Sequence, residues 1–140
     1  MWIVRKKIKI KSTPSTIWHY WSDVENWKKW DPDIQWSSIN GPFEVGTTGQ
    51  LKPQKGPKAS FIITELITHK KFIDQSKLPF TRLTFIHEIE EETSDFVTVT
   101  HGIQFTGLLS PLFSKLIGKS LAKGLPISLQ NLKELAENNP

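Results

Sequence analysis

The sequence of 140 residues contains no cysteine. This excludes a disulfide framework, a thiolate metal site and a cysteine nucleophile. No apolar run reaches the roughly 18 residues of a membrane span. The first charges follow the first apolar residues and precede no apolar stretch, so no secretory signal is predicted and we expect a cytoplasmic location. No G-x-S-x-G, Walker or G-x-G-x-x-G motif is present, so hydrolase, nucleotide triphosphatase and dinucleotide-binding functions lack support.

Tryptophan is absent after residue 36, although the chain has six. The length predicts a single domain, residues 1–140, which can bury a core without cross-links. The net charge of +4 is a mild excess, so its distribution matters more than its sum. The aromatic positions follow the periodicity of buried residues instead of alternating with exposed lysines, so we predict no nucleic-acid partner. The tryptophans are Trp2, Trp18, Trp21, Trp27, Trp30 and Trp36.

The first segment alternates between apolar and basic residues over residues 2–11. A period of two predicts a strand with one buried and one solvated face. Thr13 and Pro14 are a good N-cap and first residue of a helix. A second short helix is predicted over residues 25–30, with Asp23 as its N-cap. From residue 34 to residue 105 the chain is predicted to consist mostly of strands. They are predicted over residues 34–37, 50–52, 59–68, 71–75, 81–90 and 96–105.

The end of the chain predicts a long helix, in which Ser110 is the N-cap and Pro111 the first residue. Pro126 should kink or break this helix, because proline removes a backbone hydrogen bond and clashes with the preceding turn. An antiparallel sheet packed by helices is an α+β architecture.

Residues 23–32, D-V-E-N-W-K-K-W-D-P, resemble the D-x-x-x-W-x-x-W-D-P segment of START-like proteins in the polyketide cyclase/dehydrase and lipid-transport group. The segments 105–111 and 124–126, together with the order of elements, are also similar to that group. The resemblance implies a helix-grip fold, in which a curved antiparallel sheet of about seven strands surrounds a long C-terminal helix. It also implies a cavity for an apolar molecule. The group includes carriers, cyclases, chaperone-activating domains and hormone receptors, so membership does not settle function.

Two histidines occupy apolar faces of the predicted hairpin formed by residues 81–105. His87 and His101 share odd parity with the apolar residues of their strands, and a three-residue loop at residues 93–95 would place them opposite each other. Burying an unpaired imidazole costs on the order of 1–3 kcal/mol, so each ring should have a polar partner. Glu65 is a candidate third member, although both faces of its strand are apolar and it can point to either side.

Three functions are compatible with these patterns. The leading hypothesis is binding or transport of a small hydrophobic or amphipathic ligand, such as a lipid or polyketide-like compound, without obligatory catalysis and without a metal or other cofactor. The first alternative is a cyclase or dehydratase in which His87 and His101, with Glu65 as a further candidate, perform acid–base chemistry on a carbonyl compound. The second alternative is a protein-interaction module.

The proposed cavity lining combines aromatic and aliphatic walls with a few polar groups. Lys115, Lys119 and Lys123 have helical spacing and share one face, which is either simply solvated or a transient contact for anionic lipid heads. The sequence leaves the oligomeric state open. The predicted lining residues are Trp27, Trp30, Trp36, Leu51, Ile63, Phe85, His87, Val99, His101, Phe113, Leu116, Leu121 and Leu125.

Overall fold

The computed structural model describes residues 1–139. The strands are β1 (Trp2–Ile10), β2 (Ile34–Ile39), β3 (Thr48–Pro53), β4 (Ala59–Ile67), β5 (Lys71–Leu78), β6 (Thr81–Glu91) and β7 (Val97–Thr106). They form one antiparallel sheet in the order β1-β7-β6-β5-β4-β3-β2. Because β1 pairs with β7, the first strand lies beside the last, and the remaining strands follow as a meander.

The helices lie at two points of the chain. After β1 come α1 (Pro14–Ser22) and a 3-10 helix (Val24–Lys29). After β7 come α2 (Ser110–Phe113), a π-helical turn (Ser114–Gly118) and α3 (Lys119–Asn138). The predicted α+β architecture, with short helices after the first strand and a long C-terminal helix, is confirmed. No helix in residues 1–139 combines the length and apolar character needed to cross a bilayer.

The start of α1 follows directly from its sequence. The Thr13 hydroxyl accepts a hydrogen bond from the Thr16 backbone N–H at 3.3 Å, and Pro14 is the first helical residue. This satisfies one of the backbone donors that a helix start leaves unpaired. Asp23 flanks the 3-10 helix, where its carboxylate accepts from the Asn26 side chain at 2.8 Å.

The C-terminal helix differs from its prediction in two respects. Leu109, not Ser110, is the N-cap of α2, and Ser110 is a buried helical residue. The expected break at Pro126 is wrong, because α3 continues through that residue to Asn138. The departure from regular α-helix occurs earlier, in the π-helical turn that joins α2 to α3. Such turns arise where a backbone ladder is locally widened.

The β6–β7 hairpin confirms the predicted register. His87 pairs with His101, with Leu83 opposite Phe105 on one side and Ile89 opposite Val99 on the other. The inward face of the sheet therefore carries the odd-numbered residues of both strands, and the two histidines are direct cross-strand neighbours.

The core consists of two groups of apolar side chains. The first cluster joins α1, the 3-10 helix and the C-terminal half of α3 to the sheet. The second cluster lies where β1, β6 and β7 meet the start of α3. The buried members of the first are Ile10, Ile17, Trp18, Trp21, Val24, Trp27, Trp30, Ile34, Phe61, Phe72, Ile89, Val97, Val99, Leu129, Leu132 and Ala136. The buried members of the second are Leu83, Ile103, Phe105 and Leu125, with partly buried Trp2, Val4, Leu78, Phe85, Phe113, Ile117 and Leu121 packed on them.

Candidate functional site

A cavity of about 120 Å³ lies between the sheet and α3, where the two clusters meet. Aromatic and aliphatic side chains form most of its wall, and carboxyl and imidazole groups interrupt them. This is the composition expected of a binding site for a small molecule. The wall is lined by Trp27, Trp30, Asp31, Asp33, Ile34, Leu51, Pro53, Asp74, Phe85, His87, His101, Gly102, Ile103, Leu121, Gly124, Leu125 and Ser128.

The two histidines are buried and in contact. Their ring centroids are 5.1 Å apart, and the planes are inclined at 73°. His87 also stacks on Phe72, with 3.8 Å between centroids and 5° between planes. Trp21 lies 5.5 Å from the His87 ring and 5.8 Å from the His101 ring. These aromatic contacts pack against both imidazoles and leave them almost fully buried.

Hydrogen bonds on the Nδ1 atoms determine the tautomer of each ring. His87 Nδ1 lies 3.3 Å from the Phe72 carbonyl oxygen, which can only accept, so this nitrogen carries the proton. The Ser128 hydroxyl donates to the Leu125 carbonyl oxygen at 3.1 Å. With the hydroxyl proton in this bond, the Ser128 oxygen accepts from His101 Nδ1, which is 3.1 Å away. Both Nε2 atoms are therefore unprotonated acceptors.

His101 Nε2 is buried and has no hydrogen-bond partner among residues 1–139. Burial lowers the pKa of His101 to about 3. Burial, reinforced by the neighbouring His101, also lowers the pKa of His87 well below its ordinary value, against the effect of the Phe72 carbonyl. Both rings are thus neutral near pH 7. A buried acceptor without a donor, such as His101 Nε2, lowers the stability of the folded protein by on the order of 1–3 kcal/mol.

Asp74 adds an acidic group to the same face. It lies on β5, two residues beyond Phe72, the residue that pairs with His87. Its side chain is buried, with 2% of its surface exposed. Burial raises the pKa of Asp74 to about 8, so the group is mostly a neutral carboxylic acid near pH 7. The site therefore combines imidazole acceptors with a carboxylic acid that can donate.

Most of the predicted lining residues lie on the cavity wall. Ile63 and Val99 are fully buried in the core but are not on that wall, and Phe113 packs against the second cluster. As ligand contacts the whole set stays a prediction. Those that line the cavity are Trp27, Trp30, Leu51, Phe85, His87, His101, Leu121 and Leu125.

Three further predicted positions, Glu65, Trp36 and Leu116, lie outside the cavity and point away from the core. Glu65 points to the outer face, because a register shift at Thr64 reverses the alternation of β4, and its carboxylate pairs with Lys71 at 2.8 Å. Trp36 is 39% exposed because a similar shift between Ile34 and Trp36 turns it outward. Leu116 lies on the outer side of the π-helical turn and is 66% exposed.

The sequence reasoning missed Asp74 and Ser128. Asp74 shares parity with Phe72 on a predicted strand, so the alternation of β5 already contained a signal for an inward carboxyl group. Ser128 had no comparable signal. Its role depends on the distance between α3 and β7, which the sequence does not specify.

Comparison with known proteins supports the fold. A family model described as polyketide cyclase/dehydrase and lipid transport matches residues 1–137. No curated protein matches the chain by sequence. The di-domain ARO/CYC BexL from the BE-7585A biosynthetic pathway has a TM-score of 0.78 and 13% identity, over 100% of this chain and 48% of that one. This chain therefore spans about half of that protein.

Two further solved structures are similar over nearly their full length. Norcoclaurine synthase from Thalictrum flavum, in complex with dopamine and hydroxybenzaldehyde, has a TM-score of 0.74 and 11% identity, over 99% of this chain and 88% of that one. The Aha1 dimer from Colwellia psychrerythraea has a TM-score of 0.72 and 21% identity, over 98% and 97% of the two chains. At such identities the likeness establishes a shared fold.

Proposed function

Because the chain belongs to the polyketide cyclase/dehydrase and lipid-transport family, we propose that residues 1–140 form one domain that binds a small, neutral, hydroxyl-bearing apolar compound in the cavity. The observation that carries this proposal is His101, a residue of the cavity wall whose buried Nε2 has no hydrogen-bond partner among residues 1–139. A ligand hydroxyl would supply the missing hydrogen bond, and the aromatic walls would hold the rest of the molecule.

The size of the cavity limits the ligand. A volume of about 120 Å³ is below the range of roughly 300–1,000 Å³ typical of sites for drug-sized molecules. A buried cavity of about 150 Å³ is enough for benzene. A compound with one ring therefore fits with little rearrangement, whereas a long-chain lipid would require α3 to move. Hydroxybenzaldehyde, one of the two compounds in the complex of norcoclaurine synthase, is a neutral phenol with one ring.

The electrostatics disfavour an anionic ligand. Asp74 and the two histidines are uncharged near pH 7 and offer an anion no buried counter-ion. Burial raises the pKa of Asp31, on the same wall, to about 6, so this group is mostly ionised near pH 7 and repels an anion. A phenol or alcohol can donate to His101 Nε2 and accept from the Asp74 carboxylic acid. His101 Nε2 then gains the hydrogen bond that it lacks in the free protein.

The test compares phenol with toluene, which has a similar shape but no hydroxyl. We expect the protein to bind phenol roughly tenfold more tightly, because leaving the acceptor unpaired costs about 1–3 kcal/mol. Isothermal titration calorimetry, with the change in total tryptophan fluorescence as a second readout, gives both affinities. The variant His101→Leu should reverse the preference, whereas His19→Leu, at an exposed helical position, should preserve it.

Two results would contradict the proposal. One is equal affinity of the native protein for phenol and toluene. The other is a long-chain fatty acid that co-purifies with the native protein in native mass spectrometry and is displaced by neither compound.

A second candidate function is acid–base catalysis of the cyclase or dehydratase type. It is favoured by the coexistence, on one buried face, of two neutral imidazole bases and a carboxylic acid whose pKa is raised to about 8. His87 or His101 would remove a proton next to a carbonyl group, and Asp74 would donate to the carbonyl oxygen. A general acid or base within hydrogen-bond reach of the reacting atoms contributes roughly 100-fold or more to proton transfer.

The catalytic version has its own assay. Exchange of the methyl protons of 4-hydroxyacetophenone in D₂O, followed by NMR, should be accelerated by the native protein and lose roughly 100-fold in His87→Asn or His101→Asn. If the protein binds this ketone but exchange proceeds at the solution rate, the enzyme function is rejected and the binding function stands.

A further inference from the structure

The turn between β5 and β6 and the segment that leads into α3 form an exposed apolar and basic surface. Four of its apolar side chains have unusually large exposed fractions, namely Phe80 at 76%, Leu108 at 80%, Leu112 at 49% and Leu116 at 66%. Large apolar side chains exposed in a group indicate an interaction site, whereas single ones do not. We call this surface the docking face, which consists of Phe80, Leu108, Leu112, Leu116, Ile127, Lys115, Lys119 and Lys123.

The two parts of the docking face are in direct contact. The Phe80 carbonyl oxygen accepts from the Leu109 backbone N–H at 3.3 Å. Gly107, with φ of 111°, approaches so closely that a Cβ at this position would lie 2.6 Å from the same oxygen. The backbone at Phe80 is therefore held against the segment that contains Leu108, by a conformation that only glycine readily adopts at residue 107.

Phe80 itself adopts a φ of 51°, one of only two positive values at non-glycine residues in the part of the chain that the structure describes. A bulky residue in this region is strained, and such strain is retained where it has a function. Here its effect is to present an aromatic ring almost entirely to solvent. Nothing in the core is gained by it, since Phe80 belongs to neither cluster.

The charges of the docking face are all of one sign. Lys115, Lys119 and Lys123 are exposed, and residues 96–133 contain no aspartate or glutamate. The two ion pairs found within residues 1–139 involve other lysines. A carboxylate approaches this helix at Gly124, where a Cβ would lie 2.6 Å from Asp33 Oδ2.

We propose that the docking face binds the surface of an anionic phospholipid bilayer. Exposed leucine and phenylalanine side chains interspersed with lysines are the composition of a segment that lies in the membrane interface. Each lysine near an anionic surface contributes about 1 kcal/mol, and the apolar side chains enter between the lipid head groups.

The charge pattern disfavours a second copy of the chain as the occupant. In a symmetric dimer the same patch lies on both sides of the interface, so the lysines of both copies would be brought together without carboxylates of the docking face to balance them. The start of α3 also forms one wall of the cavity through Leu121 and Leu125. A docked molecule would therefore hold the cavity next to the bilayer, into which compact apolar compounds partition.

Vesicle flotation tests the charge contribution. Vesicles of pure phosphatidylcholine are compared with vesicles containing 30% phosphatidylserine, at low and high salt. The native protein should bind the anionic vesicles and be released by salt. The triple variant Lys115→Gln, Lys119→Gln, Lys123→Gln should lose roughly 100-fold in affinity at about 1 kcal/mol per lysine. A control with the same charge change, Arg5→Gln, Lys7→Gln, Lys9→Gln on the outer face of β1, should bind nearly as the native protein does.

The absence of cysteine allows a second test of orientation. Leu116→Cys and, as a control on the outer face of β4, Ile67→Cys each create a single labelling position for a polarity-sensitive fluorophore. Anionic vesicles should shift the emission of the label at residue 116 to shorter wavelengths and leave the label at residue 67 unchanged.

Several outcomes would overturn the proposal. Equal binding of both vesicle types, no binding to either, or equal losses in the two triple variants would each do so. Failure to bind vesicles together with selective binding of an acidic protein would assign the face to a protein partner. A concentration-dependent dimer that Leu116→Ser abolishes would assign it to a second copy. None of these outcomes bears on the cavity, which the phenol and toluene titrations test separately.

Discussion

The two clusters of the core differ in how completely their space is filled. In the first, Trp21, Phe72, Ile17 and Leu132 are almost wholly inaccessible to solvent. In the second, Phe105 and Ile103 are equally buried, but the helix residues that cover them are partly exposed, and Leu121 lines the cavity. The helix that crosses both clusters is therefore anchored at its C-terminal half, while its N-terminal half forms a thinner wall.

This difference separates the parts that stabilise the fold from the parts available for function. The cavity, the π-helical turn and the docking face all lie toward the N-terminal half of the helical segment. Regions with fewer buried contacts open at lower free-energy cost, and binding sites are drawn from them. The tryptophan-rich start of the chain contributes mainly to the first cluster, which contains four of the six tryptophans.

The largest expected loss of stability comes from a substitution in the first cluster, which is the more completely packed of the two. Trp21→Ala should lower the free energy of unfolding by about 3–5 kcal/mol, because it leaves a cavity between α1, Phe72 and both histidines. Urea denaturation followed by circular dichroism measures the change. Trp36→Ala, on the outer face of β2, is the control and should cost less than about 1 kcal/mol. Equal losses in both variants would contradict the assignment of Trp21 to the most closely packed region.

Matched leucines on α3 compare the two sides directly. Leu132→Ala should cost about 2–5 kcal/mol, because the residue is fully buried in the first cluster. Leu121→Ala should cost about 1 kcal/mol, because this side chain already borders the cavity and solvent, where little packing is lost. If Leu121→Ala were as destabilising as Leu132→Ala, the conclusion that α3 packs less completely beside the cavity would be wrong.

The alternation of strands explains why much of this arrangement could be predicted. His87 and His101 follow the parity of their apolar neighbours, and the length of the hairpin loop fixes their register. The alternation of inward and outward side chains is interrupted where a strand contains an extra residue. The shifts in β2 and β4 turn Trp36 and Glu65 outward, and no residue type at those positions announces a bulge.

Tertiary distances set the remaining features. The contact of Ser128 with His101 depends on how closely α3 packs on β7, and the continuity of α3 through Pro126 depends on packing that outweighs the local preference of proline. The neutral state of Asp74 requires full burial. The alternation of β5 indicates only that the side chain points inward, and it does not specify how deeply the carboxyl group is buried. The sequence therefore contained the outline of the site and two of its polar groups, but not the carboxylic acid or the serine.

The buried Asp74 carboxyl group should make the free energy of unfolding depend on pH. Asp74 has a pKa raised from 3.8 to about 8 in the folded state, so its stabilising effect is complete below pH 3.8 and is lost as the pH rises to about 8. Asp74→Asn removes this dependence. Relative to the native protein it should gain roughly 2–3 kcal/mol between pH 5 and pH 7, at about 1.4 kcal/mol per pH unit.

Chemical denaturation at a series of pH values measures this difference. Asp95→Asn, at an exposed position of the β6–β7 loop, is the control and should leave the pH profile of the native protein unchanged. A constant difference between Asp74→Asn and the native protein from pH 5 to pH 8 would show that the Asp74 carboxyl group is ionised and solvated at the lower pH.

The smallest expected effect concerns the unpaired imidazole and has the opposite sign to most core substitutions. His101→Leu should leave the stability at pH 7.5 unchanged or raise it by about 1 kcal/mol, because an apolar side chain removes an acceptor without a donor. Since the pKa of His101 is lowered to about 3, the native ring contributes stability above pH 6.5 that is lost as the pH falls toward 3. The advantage of the leucine variant should therefore increase below pH 6.5. Parallel denaturation at pH 7.5 and pH 5 measures both effects. A loss of several kcal/mol at pH 7.5 would mean that His101 Nε2 is already satisfied in the free protein, and that the ligand is not needed to supply its hydrogen bond.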